Sequence, residues 1–413
     1  MRYAEPDVVI VGAGIAGGAL GTVLARAGFE VVLIERETNY PDRVRGEFMV
    51  PWGVTELAKL ELLRPLREAG ALFTKRNIPY DELFAPAEAE SRALDLTKMH
   101  AERVGGLCLG HPATCDIFAQ LAATSGASVL RGAGDISVTP GSRPIVSCLH
   151  NGTSLEFRPR LVIGADGRNS PTRKNLGFKV NADEPHNLLG GMLVKGIPSW
   201  PRDMQVIGVE DRFHFLVFPQ GDDLLRLYGC YDFADKSRFD GPDRREKLIS
   251  AFGKLTCLPY AEAIAASTPI GPFNSFSNED HWIDDPTCPG VVLIGDAAGH
   301  NDPILGQGLS LALRDVRLVN EILGEAKAAG GREPDFRPYV EERAERMRRL
   351  RITAQVATRL RVEFGSEARE RRARVGKRLA AGQLGPLPAS LIGPERLPAE
   401  AFLPETIEKL LAP

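Results

Sequence analysis

The chain has no CxxC pair and no Cys/His cluster at metal-ligand spacing. Its six cysteines, Cys108, Cys115, Cys148, Cys230, Cys257 and Cys288, are scattered, which argues against a zinc site. With no secretory leader before the first strand, reduced thiols in a cytoplasmic protein are the expectation. No apolar run nears the roughly 20 residues a membrane-spanning helix needs; Asp7–Val11 is strand-length and closed by glycine. Charge of one sign is lacking too: 51 Lys+Arg stand against 54 Asp+Glu, a net charge of −3, whereas a nucleic-acid binder normally shows a strongly basic domain. The 42 glycines and 30 prolines follow no period, so they punctuate turns in a folded chain. What remains is 413 residues, enough for two or three domains at roughly 100–200 residues each and for a core around a sizeable ligand.

The opening segment reads as a βαβ unit: a β-branched run at Asp7–Val11, a helix of small residues at Ile15–Ala27, and a second apolar run at Glu30–Ile34. Helices are expected over Gly53–Ala69 and Ala113–Ala123, and strands over Val129–Val138, Pro144–Leu149 and Leu161–Ile163. From about Asn181 to Trp282 the texture changes to longer alternating strands, Leu188–Ile197, Arg212–Pro219 and Leu224–Asp232, the last two joined by the hairpin residues Gln220-Gly221-Asp222-Asp223. Val291–Ile294 returns to a buried-strand pattern, Leu309–Leu323 is helical, and Val340–Arg378 reads as a long Arg-rich helix. One face of that helix carries Val340, Ala344, Met347, Leu350, Ala354, Ala357 and Leu360. Its arginines alternate with Glu341, Glu342, Glu345, Glu363, Glu367 and Glu370, the pattern of a solvated, ion-paired face.

Three motifs carry chemistry. Gly12-Ala13-Gly14-Ile15-Ala16-Gly17 follows the first strand and opens a helix, where glycines allow a tight turn, close approach of a pyrophosphate and helix–strand packing, and the helix N-terminus offers free amides. Glu35 closes the next strand about 20 residues on, where a carboxylate accepts ribose hydroxyls and repels a 2′-phosphate; the nucleotide should be FAD or NAD, not NADP. The second motif is Gly164-Ala165-Asp166-Gly167. The third runs Gly295-Asp296-Ala297-Ala298-Gly299-His300 to Pro303-Ile304-Leu305-Gly306-Gln307-Gly308-Leu309, placing Asp296 at a strand end and a bare helix N-terminus beyond it.

These residues, in this order, resemble the FAD-dependent aromatic-hydroxylase (p-hydroxybenzoate hydroxylase-like) monooxygenases, over roughly the first 330 residues. The resemblance implies an α/β fold: a Rossmann-like, glutathione-reductase-type FAD-binding domain with an inserted antiparallel-sheet substrate domain and C-terminal helices. It implies an FAD-binding domain from 1–70, 100–180 and 285–330, a substrate domain from 71–99 and 181–284, and a helical segment from 331–413. Gly12, Gly14, Ile15, Ala16, Gly17 and Glu35 would hold the ADP half of FAD. Asp166 would belong to a motif serving FAD and NAD(P)H, Asp296 would bind the ribityl chain, and Pro303, Gly306, Gln307, Gly308 and Leu309 would follow the isoalloxazine. Arg36 and Arg45 match positions that touch adenosine or pyrophosphate. The helix that usually starts with an FAD-contacting Arg has none here; His111 takes that place, or else Thr114.

Implied with the fold is a single-component monooxygenase: NAD(P)H, a transient visitor, reduces the FAD, and a flavin hydroperoxide inserts one oxygen atom from dioxygen into an apolar or aromatic small molecule. Met192, Phe213, Phe215, Phe218 and Tyr228 lie on strands expected to line the pocket, about half of them facing it, and His300 is a further pocket candidate. Metal, nucleic acid and a membrane span are not expected, and the protein is expected as a monomer or homodimer. Asp-Ala-Ala-Gly is also the form found in geranylgeranyl reductases, which keeps a reductase of isoprenoid double bonds as the alternative. A halogenase would need a catalytic lysine, for which Lys75 is the candidate, and a non-catalytic FAD-binding redox sensor is the remaining reading.

Overall fold

The computed structural model describes residues 2–221 and 223–413, so Asp222 of the expected hairpin lies outside the described residues. The chain forms a mixed α/β fold. Six strands, the inner four buried along their length, assemble a mainly parallel sheet in the order Thr287–Cys288, Val291–Leu293, Leu161–Gly164, Val8–Val11, Val31–Glu35, Ser128–Arg131. Only the first pair is antiparallel. Both faces of this sheet are covered, which is why its strands read as continuous apolar runs. The helices Ile15–Arg26, His111–Thr124 and Gly308–Ala328 pack on one face around Ile10, Leu20, Leu33, Phe118, Ile163 and Val316.

A seven-stranded sheet supplies the second layer, in the order Thr268–Asn278, Asn187–Lys195, Leu224–Tyr231, Phe213–Pro219, Met204–Glu210, Arg76–Asp81, Leu94–Asp95. Its two faces bury different cores. One face, with Phe213, Phe215, Val217, Leu225 and Leu227, packs on the helix Arg244–Gly253 through Leu248 and Phe252. The other, with Leu189, Leu216, Phe218, Tyr228 and Cys230, meets Ile304 and Leu305 and the C-terminal helix through Met347, Leu350 and Ala354.

Three sequence-derived elements are broken where the chain needs a left-handed residue. The helix expected over Gly53–Ala69 is two, Pro51–Lys59 and Leu63–Glu68, divided at Glu61 with φ of 57°. Val129–Val138 is two strands, Ser128–Arg131 and Gly134–Thr139, in different sheets, with Gly132 at φ 75° between them. The long Arg-rich helix is Arg337–Arg361 and Ser366–Ala380, separated by Gly365 at φ 96°. Its face also differs from the apolar stripe expected: Ala344 is exposed, while Arg343 and Arg346 are buried. Among the described residues no helix is long and apolar enough to cross a membrane.

Candidate active site

The first motif is built by collision as much as by freedom. Gly12 has φ of 98°, and a Cβ there would stand 2.5 Å from the carbonyl oxygen of Ala165; at Gly17 it would stand 1.8 Å from that of Gly12. At Gly14, by contrast, a Cβ would meet nothing within 4 Å. The space before this helix N-terminus is therefore open, with no acidic residue in the first turn and no side-chain cap. Glu35 fixes the loop: one carboxylate oxygen accepts from Ala13 N at 2.8 Å and the other from Glu37 N at 2.9 Å. Each oxygen keeps a further lone pair for a ribose hydroxyl.

The second motif ties the first to the third. Asp166 accepts from the Ser170 hydroxyl and from Thr172 N at 2.9 Å. Arg173 then reaches across, donating to the Asp296 and Ala297 carbonyls, both at 3.1 Å, and to that of Arg168 at 2.7 Å. Asp296 lies at the sheet's C-terminal edge with Arg168 Nε 3.9 Å from its carboxylate. Beyond it Gly306 adopts the left-handed conformation, φ 65° and ψ 35°, and starts the 21-residue helix Gly308–Ala328, whose N-terminus has neither a side-chain cap nor an acidic residue. Such an end carries about half a positive charge.

One cavity of about 1060 Å³ joins these parts. That is the upper end of the roughly 300–1,000 Å³ of small-molecule and cofactor sites. Gly12, Gly14, Ile15, Ala16, Glu35, Arg36, Arg45, His111, Asp166, Asp296, Pro303, Gly306, Gln307, Gly308 and Leu309 all border it. Gly17 lies behind the loop and acts through packing. Arg36 is 62% exposed and paired with Glu37, so it stands at the rim. Burial and then neighbouring Arg168 pull the Arg45 guanidinium below its usual pKa, a state an anionic ligand would relieve. Between the two candidates for the missing arginine, His111 faces the cavity and Thr114 bonds back to the Gly110 carbonyl. Burial and then Arg43 hold His111 down to about 4, so the ring is neutral and lacks the charge an arginine would bring. The Gln307 side chain ties its own turn to two other elements, donating to Leu305 O at 2.6 Å and Ser390 O at 3.0 Å and accepting from Trp52 Nε1 at 2.8 Å.

The pocket-lining strands correct the expected list by parity. Phe218, Tyr228 and His300 border the cavity, whereas Phe213, Phe215 and Met192 lie in the core on the opposite side of the sheet. Glycines set that choice: the Phe215 ring occupies the place of a Cβ at Gly208, and the Phe213 ring that at Gly229. His300 is 3% exposed, with no hydrogen-bond partner on either ring nitrogen. Burial and then Arg168 hold it far below the usual imidazole range. Lys75 is exposed and outside the cavity lining.

Two features escaped the sequence reading. Glu47, 2% exposed, borders the cavity and accepts from the Tyr228 hydroxyl; Arg226 bridges it to Asp42, at 3.0 Å from each carboxylate. Burial pushes the Glu47 carboxyl up despite Arg226. Its signal was an acid two residues after Arg45 inside the otherwise apolar run Gly46–Val50. The second feature is that residues 379–397 of the C-terminal segment form the cavity's outer wall. Arg343 anchors that segment to the third motif, donating to the carbonyls of Ala298, Gly295 and Gly299 at 2.9, 3.2 and 3.0 Å. Asp315, fully buried, joins Arg343 and Arg346 at 3.1 and 2.7 Å and accepts from Gly295 N.

Fold and cradle together define a dinucleotide-binding flavoprotein. More narrowly, the chain belongs to the FAD binding domain family, whose model matches residues 5–353. It is 24% identical over 323 residues to squalene epoxidase 3 of Arabidopsis thaliana, covering 77% of this chain and 60% of that protein's length. It is also 24% identical to the 1H-pyrrole-2-carbonyl-[peptidyl-carrier protein] chlorinase of Pseudomonas fluorescens, covering 78% and 76%. Among solved structures, p-nitrophenol 4-monooxygenase from Pseudomonas putida superposes with a TM-score of 0.74 at 19% identity, over 90% of this chain and 92% of that one. The open space at Gly14, the free lone pairs of Glu35 and the bare turn at Gly306–Gly308 fit FAD.

Proposed function

We propose that the protein is a single-component flavoprotein monooxygenase that uses NAD(P)H and dioxygen to place one oxygen atom on an apolar or aromatic small molecule. The observation that carries this reading is the continuity of the cavity: the dinucleotide cradle, Asp296 and the Pro303–Leu309 turn open directly onto Leu189, Ile207, Leu216 and Phe218. Bound FAD would supply the acceptance of two electrons from NAD(P)H and the activation of dioxygen.

The chain's own residues do the rest. Glu35 orients the ribose, Asp296 holds the polyhydroxylated linker, and the Gly308 helix end favours negative charge beside it. Residues 379–397 close the outer side, which excludes water and strengthens every electrostatic contact inside. The Glu47 carboxyl, pushed up by burial, stands at the cavity wall and accepts from the Tyr228 hydroxyl, which it orients along the substrate side. The exposed position of Lys75 gives the halogenase reading no support.

The test is steady-state consumption of NAD(P)H and dioxygen by the FAD-loaded protein across a panel of apolar and aromatic compounds. A substrate should accelerate both in equal amounts without release of hydrogen peroxide. Acceleration of NAD(P)H oxidation under anaerobic conditions, with the substrate reduced, would instead establish the double-bond reductase.

A further inference from the structure

Along the C-terminal helix the buried stripe facing the flavin turn runs Met347, Leu350, Ala354, Ala357, at alternating spacings of three and four. The next position in that stripe is Arg361, the helix's last residue. It is partly buried and borders the cavity. Among the described residues no carboxylate, carbonyl or hydroxyl pairs with its guanidinium. Its nearest electrostatic neighbours are the Cys230 thiol and the His214 ring. Burial holds that ring down to about 3, so neither neighbour carries compensating charge at neutral pH. The buried arginines Arg343 and Arg346 of the same helix are engaged by Asp315, and Arg372 of the following helix by Asp81 and Glu82.

The cavity that Arg361 borders has apolar lining at Leu216, Leu379, Leu387 and Leu391. The polar groups nearby on the sheet satisfy one another, Thr74 donating to Gln205 at 2.7 Å and Gln205 to Asn77 at 3.3 Å. On the C-terminal wall of the same cavity, Gln383 Nε2 is buried without a partner. A planar, permanently charged fork in an apolar chamber, with an amide donor on the same wall, matches one kind of ligand. Carboxylates accept from a guanidinium through two parallel bonds.

We propose that Arg361, assisted by Gln383, is the anchor for a carboxylate on the substrate, whose apolar body then fills the chamber toward the Pro303–Leu309 turn. This rests on reading the outer half of the cavity as the substrate chamber. It narrows the substrate class from apolar small molecules to apolar carboxylic acids, and it makes Arg361 a specificity-determining residue.

The test reads binding without turnover, so its outcome is separate from that of the monooxygenase assay. The FAD-loaded protein is titrated with 4-butylbenzoate, its neutral isostere 4-butylbenzamide and 4-butylphenylphosphonate, following the flavin absorbance and tryptophan fluorescence. The benzoate should bind about tenfold or more tightly than the amide, as charge-assisted pairing predicts. Arg361→Met should remove that preference while amide affinity and flavin occupancy stay unchanged, and Arg361→Lys should keep part of it. Equal affinity for benzoate and amide in the unaltered protein overturns the proposal, as does undiminished benzoate binding in Arg361→Met. Binding of the phosphonate alone overturns the carboxylate assignment. Should Arg361→Met fail to fold, the benzoate/amide ratio of the unaltered protein and of Arg361→Lys decides.

Discussion

The dinucleotide cradle and the C-terminal segment border the same cavity, yet they are specified in opposite ways. The cradle is made of backbone: glycines at 12, 14 and 17, helix ends at Ile15 and Gly308, and a few carboxylates. The C-terminal segment is held by long side chains that cross between elements, with Arg343 and Arg346 converging on Asp315 and Gln307 reaching Ser390. The first arrangement binds a ligand common to a whole family; the second sets what stands opposite that ligand. Backbone and long side chains thus build two different sides of one cavity.

Breaking the joint between the two regions should have the largest effect. Arg343→Met leaves the fully buried Asp315 with Arg346 as its one charged partner beside the Gly295 amide, and three carbonyls of the third motif without their Arg343 donor. A loss of about 3–5 kcal/mol is expected, measured by denaturant unfolding, with flavin occupancy falling in parallel. If flavin occupancy survives at full stability, the joint is dispensable.

Within the cradle alone, Asp296→Ala should leave the fold intact and weaken FAD binding about tenfold to hundredfold, the loss expected for one or two hydrogen bonds to a charged acceptor. Fluorescence titration of the apoprotein with FAD checks this, and unchanged affinity would refute the assigned contact. At the turn that meets the segment, Trp52→Phe removes the donor to Gln307 and leaves a buried amide oxygen unpaired. That should cost about 1–3 kcal/mol of stability with little change in FAD affinity, which a combined unfolding and titration experiment separates.

The smallest effect is on pH. Burial raises Asp302, next to Pro303, to about 7, and its neighbour Asp280 to about 6. A carboxyl whose folded pKa lies above its unfolded value of about 3.9 stabilises the fold below that value. Its contribution is then lost as the pH rises through the folded pKa. Stability should therefore decline between about pH 4 and 7 on account of this pair, and Asp302→Asn should flatten the decline. A stability curve unchanged by that substitution would show that Asp302 does not titrate in this window.

The same contrast explains what the sequence revealed. The cradle was legible because its requirements are local: a β-branched run, glycine where a Cβ would strike backbone, a carboxylate one strand later. The C-terminal segment was misread because its signals are tertiary. Arg343 and Arg346 look like any arginines beside glutamates until Asp315 is placed beneath them. Parity misled in the same way: the alternation Phe213, Phe215 and Leu216, Phe218 gives two faces, and only the cross-strand glycines Gly208 and Gly229 decide that the first pair turns from the cavity. The helix breaks at Glu61 and Gly365 lie at single left-handed residues, which apolar spacing alone does not register.

The central claim, that FAD in this cradle faces a substrate chamber walled by the C-terminal segment and transfers oxygen there, is tested most directly with isotopically labelled dioxygen. The FAD-loaded protein is supplied with NAD(P)H and with apolar carboxylic acids that accelerate its consumption, and the products are weighed by mass spectrometry. The account predicts one labelled oxygen atom per product molecule and none from water. A product carrying oxygen from water, or a reduced product carrying no label at all, would contradict it.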